Sequence, residues 1–143
     1  MEKLQALAKF LEVPAEEITE GVCYDNSLSY GGAEYMVLTE EQADERAKEE
    51  ILNSLWAFNA DFIIQHCKNY DDMDCYEFNS AVESLRHAQE ECCENANGLV
   101  FALIDDIDEF VEDAIMADGR GHFISYYDGE ENEEGDFYIY RVD

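Results

Sequence analysis

The chain has 143 residues with 36 Asp and Glu against 8 Lys and Arg, which gives a net charge of −28. A surface of this charge repels nucleic acid and anionic membranes and attracts basic partners, so the composition excludes a direct binder of either polyanion. Because 47% of the residues are hydrophobic and 13% are aromatic, a disordered acidic tail is excluded as well.

The N-terminal part of the chain mixes helical and strand patterns. Apolar residues at helical spacing predict a helix over residues 2–12, which ends before Pro14. Turn-forming residues among Tyr, Val and Leu predict two short antiparallel strands between residues 21 and 38. The sequence TEEQ then predicts a helix capped by Thr39, with an apolar face that continues to Phe58.

The central part is predicted to be helical. Asn59 can cap a short helix, ADFIIQHC, and the polar segment KNYDDMDCYE is predicted to be a loop. A long helix follows from about Phe78 to Cys93. Asn97 is the predicted cap of the next helix, whose start, LVFALI, is apolar on all sides and is therefore expected to be buried.

The stretch from Ile104 to Asp136 carries the most regular pattern in the chain. The helix that begins near Asn97 is predicted to continue through it, apolar on one side and acidic on the other, until Gly119 stops it in a left-handed conformation. The segments HFISYYD and DFYIYRV alternate enough to be strands, joined by the acidic tip GEENEEG. The residues from Phe101 onward include 14 Asp or Glu and only two Arg.

These patterns predict an α+β fold with four or five helices packed on a small antiparallel sheet built from two hairpins. No repeat, linker or break in composition appears, so residues 1–143 are predicted to form a single domain. The five cysteines are odd in number and the N-terminus does not resemble a signal peptide. Both observations favour reduced thiols in a cytoplasm.

No motif predicts catalysis or strong metal binding. The segment DGEENEEGD begins at Asp128 like a calcium loop, but Glu133 stands where the turn needs Gly and Ile139 where a bidentate Glu is needed, so only a weak calcium site stays open. Cys92 and Cys93 are adjacent rather than spaced for zinc, and buried thiols are expected. The three histidines sit in no nucleophile motif. We therefore expect no enzyme activity, no cofactor and no metal.

The acidic side of the predicted helix suggests a role for the charge itself. Helix positions three and four apart hold side chains about 5–6 Å from one another, and each DNA strand carries a phosphate every 3.4 Å or so along the axis. Carboxylates on such a face could stand in for phosphates before a groove lined by Lys and Arg. The predicted partner-binding residues are Asp105, Asp106, Glu109, Glu112 and Asp113 at the centre, with Glu130, Glu131, Glu133, Glu134, Glu45 and Glu49 on other elements.

Three segments carry a resemblance to a known group of proteins. GGAEYMVLTEEQADERA, SLWAFNADF and ADGRGHFISYYDGEENE resemble a family of small acidic, mostly uncharacterised bacteriophage and prophage proteins, over roughly residues 30–143. The resemblance implies a phage-encoded protein in the host cytoplasm and brings no activity or site residues. In general character, without shared motifs, the chain is also similar to phage DNA-mimic proteins that block restriction enzymes or CRISPR effectors.

The sequence therefore predicts a non-enzymatic DNA mimic. Its expected partner is a basic nucleic-acid-binding protein of the host, of the restriction or CRISPR type, and neither nucleic acid nor a membrane. A homodimer stays open. The alternative function is an acidic surface of halophilic type, or one that only maintains solubility, on a phage interaction or assembly protein.

Overall fold

The computed structural model describes residues 2–143 and divides the chain into two compact units. Unit 1 comprises Met1–Lys48 with Ala117–Asp143, and unit 2 comprises Glu49–Met116. Helices combine with an antiparallel sheet, so the predicted α+β class is confirmed. The single domain stays a prediction. No helix within residues 2–143 combines the length and the apolar character that crossing a membrane requires.

Unit 1 contains a five-stranded antiparallel sheet. Its centre is the pairing of two strands that lie far apart in the chain, in a register that places Val37 opposite Ile139. Two hairpins and one further antiparallel pairing at the sheet edge supply the three remaining pairs. The first hairpin lies where two short strands were predicted, and Gly31 and Gly32 adopt positive φ angles of 61° and 83° in its turn. In sheet order the strands are β1 (Thr19–Glu20), β2 (Leu28–Tyr30), β3 (Ala33–Leu38), β5 (Phe137–Arg141) and β4 (Asn132–Glu134).

Helix α1 (Lys3–Leu11) packs on this sheet. Leu7, Val37 and Ile139 lie in one buried apolar cluster, which joins the helix to the two central strands. Helix α2 (Glu40–Asn53) begins in unit 1 with the predicted capping box, in which the Thr39 and Gln42 side chains accept hydrogen bonds from each other's backbone N–H.

Unit 2 contains α3 (Ala60–Gln65), α4 (Cys75–Cys92), α5 (Asn97–Leu103) and most of α6 (Ile107–Asp118). Asn59 caps α3 as predicted. Asn97, the predicted cap of α5, instead bridges two earlier segments. Its side chain accepts a hydrogen bond from the Trp56 N–H and donates one to the Leu52 carbonyl, both at 2.8 Å.

The predicted continuous helix from Asn97 to Gly119 is wrong, because the chain is extended at Ile104 between α5 and α6. Ile104 forms an isolated β-bridge with Cys67, and the Asp105 N–H donates to the His66 carbonyl at 3.0 Å. These hydrogen bonds take the place of helical hydrogen bonds at this point. A distant segment of the same chain therefore divides the helix.

The segment HFISYYD is also not a strand. Residues Arg120–Ile124 form the short helix α7, and Ser125 follows it with a buried hydroxyl that donates to the Arg141 carbonyl at 2.6 Å. In so short a segment the alternation of Phe and polar residues does not distinguish a strand from one helical turn. The strand that pairs with β5 is therefore β4, and the turn of this hairpin is Gly135–Asp136 rather than GEENEEG.

Two predictions of burial are wrong. Only Val100 and Ile104 of the segment LVFALI are buried, because a helix of seven residues can turn only one side toward the core. Cys92 and Cys93 are exposed where α4 ends. Both lie beyond Leu85, the last buried residue of α4.

A buried carboxylate, Glu34, holds the loop before β2 against β3. It is 5% exposed and accepts hydrogen bonds from the N–H groups of Val22 at 2.8 Å and Cys23 at 2.9 Å. The Ser27 hydroxyl adds a third at 3.0 Å. Gly21 is required here, because a Cβ at this position would lie 2.0 Å from the Ser27 Oγ.

Replacing Glu34 with glutamine is expected to lower the free energy of unfolding by about 2 kcal/mol at neutral pH, since an amide cannot accept every one of these hydrogen bonds. Burial raises the pKa of Glu34, but the hydrogen bonds from Val22, Ser27 and Cys23 outweigh it and lower the pKa below 4.5. The stabilisation is therefore present above pH 4.5 and is lost as the pH falls through the lower pKa of the folded state.

Urea unfolding of Glu34→Gln and of the parent chain from neutral to acidic pH measures this difference. Glu20→Gln, an exposed change in β1, is the control and should leave stability nearly unchanged. A difference that persists undiminished at acidic pH would contradict the assigned role of the carboxylate.

Candidate functional site

Helix α6 is positioned by an aromatic cluster in unit 2. Phe110 is fully buried, and its ring centroid lies 4.9 Å from that of Phe62 and 5.2 Å from those of Phe58 and His66. Val111 and Ala114 are buried on the same side of the helix. This apolar side fixes the direction in which the opposite, acidic side faces solvent.

The predicted central residues lie together on α6 and the turn before it. We call Asp105, Asp106, Glu109, Glu112 and Asp113 the α6 acidic face. The first four are exposed, and the Asp113 side chain is 45% exposed.

Two members of the α6 acidic face also have local structural roles. Asp106 caps α6, because its Oδ1 accepts the N–H groups of Asp108 at 3.1 Å and Glu109 at 3.2 Å. The Asp113 Oδ2 lies 3.2 Å from the His66 Nε2. Asp105, Glu109 and Glu112 carry no such role in the described structure, so their carboxylates are the ones best placed to meet a partner.

A cleft of about 420 Å³ adjoins the α6 acidic face within unit 2. Its other wall comes from the end of α3 and the loop that follows, including His66, Lys68, Tyr70 and Asp71. Four members of the α6 acidic face line it, and Glu112 does not. The cleft is therefore bordered by five carboxylates and one lysine, with the rings of His66 and Tyr70 between them.

Both units carry a large excess of negative charge, and the excess is greater in unit 2. Residues 49–116 hold 17 Asp and Glu against two basic residues, Lys68 and Arg86, a balance of −15. Arg86 pairs with Glu83 at 2.7 Å and with Asp61 at 3.7 Å. Unit 1 holds 19 acids against six basic residues, a balance of −13 over a longer stretch of chain.

The four predicted glutamates near β4 divide into two kinds. Glu130 and Glu133 are exposed. Glu134 lies 3.2 Å from the Lys9 Nζ, and Glu131 accepts a hydrogen bond from the Arg120 Nε at 2.8 Å and another from the Tyr140 hydroxyl. Glu131 and Glu134 are therefore engaged within unit 1 and do not form a free acidic tip.

Arg120 is the centre of a network that we call the Arg120 network. Its side chain is 9% exposed and lies 3.0 Å from Glu40 and from Asp44, 2.8 Å from Glu131, and over the ring of Tyr138. The Tyr138 hydroxyl donates to Glu40 at 2.6 Å. This hydrogen bond and the nearby guanidinium lower the pKa of Glu40, although burial opposes the shift. The Arg120 guanidinium also donates to the Glu40 carbonyl at 3.3 Å.

Glu45 and Glu49, the remaining predicted residues, are exposed one turn apart on α2. Within residues 2–143, no group of three or more His, Cys, Asp or Glu side chains is arranged to hold a metal ion. The segment DGEENEEGD accordingly shows no such group either.

Sequence patterns alone do not reveal the cleft. His66, Lys68, Tyr70 and Asp71 come from a segment predicted to be the end of one helix and a polar loop. The only local signal is the cap at Asn59, which fixes the start of α3 and hence the position of His66 where it ends. The β-bridge that brings this segment to the α6 acidic face joins residues far apart in the chain.

No family model, no curated protein and no solved structure matches this chain. The resemblance to small acidic phage proteins stays a prediction.

Proposed function

We propose that this protein is a non-enzymatic DNA mimic that occupies the basic nucleic-acid groove of a host defence or DNA-binding protein, of the restriction or CRISPR type. The observation that carries the proposal is the α6 acidic face in a unit with a charge balance of −15. As a phage-encoded protein it would act in the host cytoplasm.

The charge supports this function because neighbouring carboxylates repel one another, and contact with solvent alone does not remove this repulsion. Two carboxylates about 6 Å apart in water repel by roughly 0.7 kcal/mol before salt screening. The α6 acidic face places several such neighbours on one helix, and Lys68 is the one basic residue that lines the adjoining cleft. A partner that brings Lys and Arg to this face would relieve the repulsion on binding.

The mechanism is competition for a groove. Lys and Arg side chains that normally neutralise phosphates would pair instead with Asp105, Glu109 and Glu112, which are exposed. The buried Phe110 holds Glu109 and Glu112 on a preformed helix, so the backbone pays little ordering cost on binding. Bound DNA and this protein would exclude each other.

Competition binding tests the proposal. We expect a member of a panel of restriction, CRISPR and nucleoid proteins to bind, to be displaced by duplex DNA, and to lose affinity about 10-fold or more between 50 and 200 mM salt. A partner that binds DNA and this protein at the same time, or a panel without any binder, would contradict it.

The alternative of a halophilic surface makes a separate prediction. A protein adapted to high salt should lose its folded structure in dilute buffer, because its carboxylates then repel without screening. We expect the parent chain to melt cooperatively at low salt, as measured by circular dichroism. Unfolding below about 1 M salt would favour the halophilic alternative.

A further inference from the structure

Helix α5 exposes apolar side chains to solvent. Phe101 is 55% exposed and Leu99 is 46% exposed, and Ala102 is exposed between them on the same short helix. Val100, on the other side of α5, is fully buried and fixes the orientation of the helix. We call Leu99, Phe101 and Ala102 the α5 ridge.

The α5 ridge lies in an uncharged stretch of an otherwise highly charged chain. The sequence from Asn95 to Ile104 contains no charged residue, although 31% of the chain is charged. Single exposed apolar residues need no explanation, but two large ones on one short helix, one of them aromatic, match the apolar and aromatic composition of interface cores. Leu99 and Phe101 are each about half exposed, so packing within the unit covers only part of their apolar surface.

The α5 ridge runs directly into the α6 acidic face. Ile104 alone separates α5 from Asp105, and Asp106 then caps α6. The ridge and the first carboxylates are therefore within about two helical turns of each other along one stretch of chain. A partner that covers this stretch of chain can contact both.

The carboxylates next to the α5 ridge indicate which kind of partner can bind there. A second copy of this chain would bring its own Asp105 and Asp106 toward the same carboxylates, and like charges in an interface are unfavourable. A partner with Lys or Arg beside an apolar or aromatic contact complements both features at once. Grooves that bind nucleic acid often have this composition, because bases stack on aromatic rings while phosphates meet cations.

We propose that the α5 ridge is an apolar anchor for the basic partner of the α6 acidic face. This inference rests on the proposed function and narrows it, because it requires a groove that carries an apolar or aromatic contact next to its cations. Phe101 is the central residue of the anchor, and the carboxylates supply the salt-dependent part of the affinity.

Two peptides of equal length and equal positive charge test the anchor. One alternates Lys with Gly and the other alternates Lys with Leu, so that apolar side chains are present in only one of them at equal charge. We expect the parent chain to bind the Lys/Leu peptide about 10-fold more tightly, and the double variant Leu99→Ser, Phe101→Ser to lose this preference while its affinity for the Lys/Gly peptide is unchanged. Isothermal titration calorimetry measures both affinities.

Tyr76→Ser is the matched control, because Tyr76 is an exposed aromatic of α4, 81% accessible, outside the ridge. It should keep the preference for the Lys/Leu peptide. Equal binding of the two peptides by the parent chain, or a preference that survives in the double variant, would overturn the anchor while leaving the proposed function standing. A parent chain that binds neither peptide would instead contradict the proposed function and the anchor with it.

Sedimentation of the parent chain and of the double variant tests the competing occupant. We expect both to be monomers at low salt. A parent dimer that the double variant abolishes would assign the α5 ridge to a second copy of this chain and overturn the proposal.

Discussion

Replacing Arg120 with alanine is expected to lower the free energy of unfolding by about 3 kcal/mol, because it leaves three carboxylates facing one another without their shared cation. The guanidinium lies 2.8 Å from Glu131 and 3.0 Å from both Glu40 and Asp44. Its side chain is 9% exposed, whereas the carboxylates are more accessible, so water screens part of the loss. Urea unfolding at neutral pH measures the change.

Arg86→Ala is the matched control for this prediction. Arg86 also pairs with two carboxylates, but its side chain is 48% exposed, and the loss should stay below about 1 kcal/mol. Arg120→Lys should recover only part of the stability, since one ammonium group cannot replace a planar guanidinium with several donors. Equal losses of unfolding free energy for Arg120→Ala and Arg86→Ala would mean that burial of the Arg120 network contributes nothing to stability.

Neutralising the free carboxylates of the α6 acidic face is expected to weaken binding of the partner by about 100-fold, at about 1 kcal/mol for each charge lost. The variant is Asp105→Asn, Glu109→Gln, Glu112→Gln. It spares Asp106, which caps α6, and Asp113, which contacts His66, so that both of these stabilising contacts of the helix are kept. Affinity for the partner found in the panel, measured at several salt concentrations, should fall together with the steepness of the salt dependence.

The control removes the same number of charges from another helix end in unit 2. Glu90→Gln, Glu91→Gln, Glu94→Gln changes three exposed acids at the end of α4 and just beyond it. We expect this variant to lose much less affinity. If both triple variants weaken binding equally, the charge of the protein acts as a whole and the α6 acidic face has no special part. The α6 variant should also unfold no more easily than the parent chain, since removing like charges relieves repulsion.

Local chemistry decided which elements could be predicted. The caps at Thr39 and Asn59 each form with a residue two or three positions further along the chain. A short stretch of sequence is therefore enough to predict them. The α+β class followed in the same way from periodicity and turn residues. These predictions needed no knowledge of which distant segments meet.

The predictions that failed depended on long-range contacts. The division between α5 and α6 arises at Ile104 because Cys67 and His66 supply backbone partners from a distant segment. Glu131 was expected to project from a free tip, but Arg120 and Tyr140 engage it. The same limit explains why Phe101 was expected to be buried, since an apolar helix does not reveal which side has a neighbour.

The pairing of β3 with β5 also constrains the order in which the chain can fold. These central strands are separated by the whole of unit 2, so their sheet cannot be completed during synthesis until the residues of β5 have left the ribosome. Unit 2 is continuous in sequence, so all of its residues leave the ribosome before those of β5 and it can fold earlier. Until β5 arrives, the buried cluster under α1 lacks Ile139, and the edge of β3 is exposed to pairing with other chains.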